Sequence, residues 1–595
     1  MCGIVGSNFT PNTNPNLLLQ TMQNRGPDSQ NYTFINDHFF GHSRLSIIDS
    51  KNIHANQPMV FDDIVIVFNG TIYNYQELNK TENLQCITNS DTETILRLYQ
   101  KYNTEFLNML NGGFSFCIYD IKKEQFFCAR DRYGKKPFFY YHQNGQFIFS
   151  SLIKPILQIL QTTPKISKIG LNQYLQYFVP IETNTIYQDI YKLEAGYYLV
   201  YNSSSNSIFT KKYYKINTKK EIFDTDLAID LIHKNLQDSI SQRVIGDEKI
   251  ATLLSGGVDS SLVSAMYAKI SQNNINTFSI GYDEYKKYDE LKFAKIVSKH
   301  INSNHTEILL SKNEFIENID KSIDILGQPH GDSAAIPLHI LSQKINQMGF
   351  KVVLSGEGSD ELFLGYPTYA NMNKYHNFQT SLTTYQKDFL NTIIQSLQNN
   401  TKESEYLKRV VKNDPLYQSF GEIFNDSQKS KLLHKPYFFR HDTKNDFINH
   451  MSLLDLKIWL GDALLSKVDG ITSHNAIEAR TPFLDFYLVD NVFKIDTKIK
   501  LGNESKHIIK QIAKNYLPLE IVYRSKKGFS NPSNEWIHTE YGDEILKLIL
   551  KVNNECNFFK DDYINFIYTQ SKSGKFRQHL WSLYIFARWF NKTYL

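Results

Sequence analysis

Three short segments carry residues whose types and spacing could do chemistry. Cys2 follows the initiator Met1 in MCGIVG. A small second residue allows that Met to be removed, leaving a cysteine with a free α-amine. A thiolate is a strong nucleophile, and an amine with an ordinary pKa near ~8 can serve as its base within one residue. The second segment, SGGVDSS (255–261), lies between the apolar run IATLL and the helical pattern SSLVSAMYAKI. Glycines there let backbone N–H groups close on phosphate oxygens, and a helix amino terminus adds favourable partial charge. No lysine follows the glycines, so this is not the GxxxxGKS/T phosphate loop. Asp259 can hold Mg2+ on departing phosphates, because hard cations prefer carboxylate oxygen. The third segment, VVLSGEGSDELFLGY (352–366), ends a strand with Ser355 and Gly356 and then presents Glu357 and Asp360. Two carboxylates three residues apart can simply solvate a helix start, and their spacing alone does not choose between that and a functional pair.

The elements that must hold these groups fall into two halves. IVIVFNG (64–70), GFSFCIYD (113–120), QFFCAR (125–130), PFFYYHQNGQFIFSS (137–151) and GYYLVYNSSSNSIFTKKYY (196–214) are β-branched or aromatic runs, the last two containing hairpin turns. One helix, Asp91–Tyr102, opens with an acidic capping pattern. This half reads as an α+β or sheet-sandwich domain ending near residue 212, and the polar, basic stretch 212–224 marks the boundary. From 225 onward helices (227–244, 260–270) alternate with apolar strands (250–254, 277–282, 351–356), which argues for a parallel sheet covered on both faces, with ligands at the strands' carboxyl ends. Residues 367–595 read as mostly helical, and HLWSLYIFARWF (579–590) as core-packing helix.

Composition narrows the function classes. The 595 residues are 41% hydrophobic and nearly balanced in charge, 65 basic against 61 acidic, which excludes general disorder and leaves no electrostatic footprint for nucleic acid. The five cysteines, Cys2, Cys86, Cys117, Cys128 and Cys556, form neither a disulfide framework nor CxxC pairs and suit a reducing cytoplasm. Cys117 and Cys128 read as two half-buried strand thiols across a hairpin centred on Lys122-Lys123. The start has no signal-peptide pattern, and no apolar run is long enough to span a membrane. A small-molecule enzyme is expected.

MCGIVG, RGPDSQ (25–30), GHSRLSIID (41–49), FNGTIYNYQEL (68–78), SDTETIL (90–96), LNGGFSFCIYD (110–120) and RDRYGKKPFFY (130–140) resemble, in order, the class II glutamine amidotransferases. These are N-terminal-nucleophile hydrolases, and the resemblance implies an αββα sandwich over 2–212. It also implies that Cys2 attacks the glutamine amide and releases ammonia, that Arg44 binds the substrate carboxylate, and that Asp91 holds its α-ammonium. The Asn69 side chain and Gly70 N–H would form the oxyanion hole, and Leu45, Ser46, Ile47, Ile48 and Thr71 would complete the glutamine site. Two departures stand out. The chain has NGT where the family usually has NGE, so Thr71 replaces a carboxylate near the substrate ammonium and a weaker glutamine KM follows. Leu152 stands at an acidic position of the family's SEIK, with no mechanism attached.

SGGVDSS resembles the PP-loop ATP pyrophosphatases. Together with YDELKFAKIVSKHI (288–301), GDSAAIPLHILSQ (331–343), SKVDGITSHNAIEARTPFLD (466–485), KHIIKQIAKNYLP (506–518) and RSKKGFSNPSNEW (524–536), the whole chain resembles the glutamine-hydrolysing asparagine synthetases, with the PP-loop synthetase domain at 225–595. That resemblance implies ATP contacts from Leu253, Ser255, Gly256, Gly257, Asp259, Ser260, Ile280, Ser355 and Gly356, and Mg2+ on Asp259 and Asp360. Glu357 would take a proton from attacking ammonia, and Lys506 would neutralise charge in the transition state. Substrates would be glutamine, aspartate and ATP, with an enclosed ammonia tunnel, no nucleic acid, no membrane, and a homodimer as an open assembly. QPH (328–330), GITS (470–473) and Leu364 depart from common synthetase wording near the acceptor, which keeps another carboxylate, such as a uronic acid in surface-polysaccharide assembly, as the alternative substrate. Ring closure of the β-lactam synthetase kind would need no Cys2, Arg44, Asn69 or Asp91, and a catalytically retired storage or regulatory protein would need neither Cys2 nor SGGVDSS.

Overall fold

The computed structural model describes residues 1–595 except 272, 397–401, 442–445, 526–527, 529–530, 534 and 537–540. Parts of the RSKKGFSNPSNEW motif therefore lie outside the described residues. Among those described, strands β1 (Gly3–Ser7), β2 (Ser29–Ile35), β3 (His38–Arg44), β4 (Met59–Phe61), β5 (Ile64–Ile72), β6 (Gly112–Asp120), β7 (Gln125–Arg130), β8 (Phe139–Gln143), β9 (Gln146–Ser150), β10 (Ile190–Lys192), β11 (Tyr197–Asn202) and β12 (Ser207–Lys212) form two six-stranded sheets. Their orders are β10-β8-β9-β1-β3-β2 and β12-β11-β7-β6-β5-β4.

Burial on both faces explains the continuous apolar run of β5. Val65 and Val67 point between the sheets, into a core with Ile4, Phe40, Cys117, Tyr119, Phe126 and Phe149. Ile64, Ile66, Phe68 and Ile72 point the other way, onto Ile95, Leu96 and Leu98 of the helix Asp91–Tyr102. Alternate residues thus serve two cores, as a period of two requires. Val5, Phe39 and Ile148 on the far face of the other sheet pack under Leu18, Leu19, Ile153 and Ile156, completing an αββα sandwich. The β8–β9 hairpin turns at Asn144 and Gly145, both at positive φ (52° and 80°), the arrangement Asn-Gly favours. Cys117 and Cys128 sit directly opposite each other on β6 and β7, and both are fully buried free thiols rather than half-buried ones. They occupy the inter-sheet core, which the hydrophobic alternation alone did not distinguish from an outer face.

The second half holds β13 (Ile250–Leu253), β14 (Asn276–Tyr282), β15 (Asn304–Leu310), β16 (Val352–Leu354) and β17 (Glu478–Arg480), a parallel sheet in the order β15-β14-β13-β16-β17. Here too alternation feeds two layers. Ile250, Val352 and Leu354 face the helices Thr225–Gln242 and Val258–Ile270, while Ala251, Phe278 and Val353 face Leu341 and Ile345. Helices follow, ending in Arg577–Tyr594, whose Leu580, Trp581, Phe586 and Trp589 are buried.

The two halves meet at the amino ends of the parallel strands. Asp247 N–H donates to the Ile47 carbonyl (2.8 Å), Lys351 reaches Asp28 (3.0 Å), and Asn111 donates to Asp485 (2.8 Å). Arg25 pairs with Asp469 at 2.9 Å and Lys136 reaches the same carboxylate at 3.4 Å, all three buried. Buried ion pairs add little net stability, but breaking one strands a charge, so they fix which surfaces meet.

Candidate functional site

The first site lies where β1 begins. Cys2 precedes β1, and its carbonyl accepts from Arg25 Nε (3.0 Å). A cavity of about 30 Å³ opens beside it, walled by Met1, Cys2, Arg44, Leu45, Ile47, Ile48, Gly70, Thr71 and Asp91, with Gln57, Ser90 and Glu478 among the remaining wall residues. Ser46 and Asn69 were expected in the same wall. Ser46 instead turns its N–H to Asp28 (2.7 Å), and Asn69 is fully buried behind its neighbours.

The wall is positioned by buried polar contacts. Arg44 is held by the carbonyls of Ile48 (3.1 Å) and Asp49 (3.0 Å) and by Asn56 Oδ1 (2.8 Å), so the guanidinium is fixed before any ligand arrives. On β5, Phe68 N–H donates to Gln57 (2.6 Å), and its carbonyl accepts from His42 Nε2 (3.2 Å). Burial pushes the His42 pKa down to about 3, so the ring is a neutral donor. The next residue is Asn69. Among the described residues neither its carboxamide oxygen nor its nitrogen has a hydrogen-bond partner, although both are buried. An orphaned buried amide costs about 1–3 kcal/mol, and its Nδ2–H remains able to donate to an acceptor oxygen. Gly70 is required by a close approach, since a Cβ there would lie 2.2 Å from the Gly113 carbonyl oxygen.

Burial sets the protonation states. It pushes the Cys2 thiol up, against the pull of the neighbouring amino group, and takes the Met1 amino group down to about 5. Thiol and amine are both held in their neutral forms, the starting state for a proton transfer from sulfur to nitrogen. In this structure that amine belongs to Met1, one residue ahead of the one Cys2 would carry. Burial also raises Asp91 to about 7, opposed by the Ile72 N–H (3.0 Å) and reinforced by the charge of Glu478. Glu478 behaves oppositely. Burial would raise it, but Arg480 and Lys136 outweigh that and hold it below the usual carboxylate range.

The second site lies at the carboxyl ends of β13 and β16. Gly256, at φ +74°, packs against Phe293 and Ala294, and a Cβ would meet the Ala294 nitrogen at 2.6 Å. Gly257 caps the helix Val258–Ile270, so that helix's free amides face the loop. Ser255 and Ser260 share a hydroxyl contact at 2.9 Å. Leu253 and Ile280, half-buried, stand on the adjoining strands β13 and β14. From the neighbouring loop, Ser355 N–H donates to the Arg480 carbonyl (3.0 Å) on β17, Gly356 lies so close that a Cβ would meet Ser260 N at 2.9 Å, and Glu357 is half-buried. Ser359 Oγ donates to Asp259 Oδ1 at 2.7 Å.

Lys506 brings the site together. Its buried ammonium lies 2.5 Å from Asp259 and 2.6 Å from Asp360, linking two loops that are 100 residues apart. The Lys506 backbone is left-handed (φ 59°), a conformation that costs a non-glycine residue roughly 1–2 kcal/mol. Gly365 covers the ion pair, where a Cβ would lie 2.0 Å from Asp360 Oδ1. Leu364, beside it, is also left-handed (φ 55°) and 4% exposed. Near the QPH and GITS segments, Lys467 pairs with Asp332 at 2.6 Å, and His330 is a satisfied buried ring donating to the Ala463 carbonyl at 3.0 Å.

Two contributors escaped the sequence reading. Glu478 and Arg524 both lay inside motifs that carried the family resemblance, SKVDGITSHNAIEARTPFLD and RSKKGFSNPSNEW, but neither was given a role. Arg524 donates to the Gly256 carbonyl (2.9 Å), pairs with Glu290 and lies 4.0 Å over the Phe293 ring, clamping the glycine loop from a segment about 270 residues away. The motifs do not reveal their partners, because both act across the fold.

Comparison with known proteins gives two family matches, "Glutamine amidotransferase domain" over residues 1–214 and "Asparagine synthase" over 231–591. Asparagine synthetase [glutamine-hydrolyzing] 1 of Bacillus subtilis is 30% identical over 96% of this chain and 92% of its own length. A putative asparagine synthetase [glutamine-hydrolyzing] 2 of Methanocaldococcus jannaschii is 36% identical over 60% of this chain and 73% of its own. Asparagine synthetase B of Escherichia coli is 27% identical over 88% and 80%.

Proposed function

The chain belongs to the glutamine-hydrolysing asparagine synthetase family, and from that premise we propose that it makes asparagine from glutamine, aspartate and ATP, with glutamate, AMP and pyrophosphate as the other products. The division of labour falls between a glutaminase part, 2–212, and a synthetase part, 225–595. Removal of Met1 frees the Cys2 amine and opens the cavity, since about 30 Å³ holds a single water and no amino acid. Cys2 then attacks the glutamine amide carbon, its proton passes to its own amine, and the Asn69 carboxamide with the Gly70 N–H receives the oxyanion. Arg44 holds the substrate carboxylate and Asp91 its ammonium. Ammonia leaves and glutamate follows by hydrolysis of the thioester.

At the second site the aspartate side-chain carboxylate attacks the α-phosphorus of ATP, expelling pyrophosphate. The resulting acyl-adenylate has a good leaving group, and ammonia displaces AMP from it while Glu357 accepts a proton. The donor set suits Mg2+, since two carboxylates, Asp259 and Asp360, already converge on a cation, and Mg2+ takes one or two carboxylates plus substrate phosphates. When bound there it would neutralise charge on the departing pyrophosphate. Lys506 carries the same kind of charge from the protein itself. β16 and β17 run from the glutamine cavity at Glu478 toward the Ser355–Glu357 loop, which supports an enclosed route for ammonia beside them.

The observation that carries this reading is the buried Lys506 ammonium held between Asp259 and Asp360 at the strand ends, on the same chain as an Asn69 amide that lacks a partner among the described residues and precedes the cavity-wall residue Gly70. The test is a product assay with aspartate and ATP, comparing glutamine with ammonium in wild type and Cys2→Ala. The variant is expected to lose glutamine-dependent synthesis and keep ammonia-dependent synthesis, and loss of both would sink the division of labour. A second reading, amidation of another carboxylate such as a uronic acid, draws on the buried left-handed Leu364 beside the acceptor loop. AMP formed with a uronic-acid conjugate and not with aspartate would establish it. No helix among the described residues is long and apolar enough to cross a membrane, and a cytoplasmic location fits these substrates.

A further inference from the structure

We propose that Glu478, on the synthetase sheet, supplies a carboxylate that binds the α-ammonium of glutamine in the amidotransferase cavity. The inference rests on reading that cavity as the glutamine site, and it begins from the chemistry of the wall. A free amino acid presents one carboxylate and one ammonium, so its site needs a cation and at least one anion. Arg44 is the cation. Asp91 and Glu478 are the carboxylates in the wall, and they come from different halves of the chain.

Glu478 opens β17 and is 2% exposed. The Thr71 hydroxyl donates to it, 3.0 Å from one oxygen and 3.1 Å from the other, so the wall residue beside Gly70 is the one that orients it. Arg480 Nε holds the first oxygen at 2.8 Å. A purely structural ion pair would account for that last contact alone. It would not account for a carboxylate lining the cavity, and Arg480 already donates to the carbonyls of Arg243 (2.6 Å) and Ile245 (2.7 Å). Of the two wall carboxylates, Glu478 is the one its neighbours keep ionised, whereas burial brings Asp91 to the edge of protonation at neutral pH. Thr71 therefore does not leave the ammonium with Asp91 alone. The carboxylate has moved across the domain boundary, and glutamine is read only when the two halves are docked.

The experiment compares L-glutamine with glutaramic acid, the same amide and carboxylate without the α-amino group, in a glutaminase assay on the full-length enzyme. Glu478→Gln is expected to raise KM for glutamine about ten- to hundredfold, the worth of one hydrogen bond to a charged group, and to reduce the preference for glutamine over glutaramic acid by the same factor. That ratio is measured within one preparation, so a smaller folded fraction cancels. Thr71→Val, which removes only the orienting hydroxyl, should shift the ratio the same way by less, and it carries the test if Glu478→Gln fails to fold. Thr71→Glu combined with Glu478→Gln returns a carboxylate from the other side and should restore the preference. An unchanged ratio in Glu478→Gln, or an equal fall in kcat on both compounds, would overturn the proposal and assign Glu478 to folding or to the Cys2 amine. A wild type that does not hydrolyse glutamine would overturn the proposed function first, and this inference with it.

Discussion

The amidotransferase cavity and the nucleotide site are prepared in opposite ways. In and behind the wall of the Cys2 cavity, polar groups are buried with their needs unmet, as in the Asn69 carboxamide without a partner among the described residues and in Asp91 and Cys2, whose pKa values burial raises. Around SGGVDSS the charges are already answered, with Lys506 between Asp259 and Asp360 and Arg524 against Gly256 and Glu290. The first site stores its cost in desolvated groups that a ligand relieves. The second must exchange internal contacts for ligand contacts, so its binding energy is offset by the pairs it opens.

The contrast can be broken or sharpened by substitution. The largest effect is expected for Lys506→Ala, which leaves two carboxylates facing each other without the ammonium. Ammonia-dependent synthesis should fall about a thousandfold, the scale on which a cation stabilises phosphoryl-group charge, while glutaminase activity persists. Equal loss of both activities would mean that the two sites are not separately prepared. Asn69→Ala should lower glutaminase kcat about a hundredfold, as for one oxyanion donor, and spare ammonia-dependent synthesis. Because the orphaned amide is removed, the variant should unfold no more readily than wild type, and a clear loss of stability would show that the amide has a partner after all.

A smaller effect concerns pH. In the proposed glutamine site ionised Asp91 would favour the substrate ammonium, and its pKa, raised by burial to about 7, means that the charged form is lost as pH falls through neutrality. Glutaminase kcat/KM should therefore decline below about pH 7, by up to tenfold per unit, and Asp91→Asn should remove that limb of the profile. The smallest expected effect is Leu364→Gly. Relief of the left-handed backbone is worth roughly 1–2 kcal/mol, but deleting a buried leucine costs about 2–5 kcal/mol. The cavity wins, and a lower thermal midpoint is expected. A higher one would mean that the side chain packs poorly where glycine is usual.

What the sequence made legible follows from the range of the interactions. Asp91–Tyr102 and the Asn144-Gly145 hairpin are written in adjacent residues, and so are Cys2 and SGGVDSS, whose chemistry needs only a strand, a turn and a helix start. β17 is three residues long and pairs with β16 more than a hundred residues earlier, so no periodicity announces it. Glu478 and Arg524 were hidden for the same reason, since a lone charge in a sequence usually marks a solvated face. The two half-buried thiols read on β6 and β7 proved fully buried because both faces of that sheet are covered. Thr71 was legible as a departure, but its partner was not.

The contact between Tyr174 and Ser582 spans 408 residues, the tyrosine hydroxyl donating to the serine carbonyl at 2.7 Å. At about 5–20 residues per second of synthesis, the second partner leaves the ribosome roughly 20–80 s after the first. For the first part of that interval the amino-terminal sandwich is complete in sequence while Arg25, Lys136 and Lys192 lack Asp469 and Asp462, and Asp28, Glu182 and Glu194 lack Lys351 and Lys457. From the end of the sandwich to Asp469 the chain grows for roughly 10–50 s at that pace, and over that time the nascent face carries unmatched charges of both signs, which are what a chaperone would meet first.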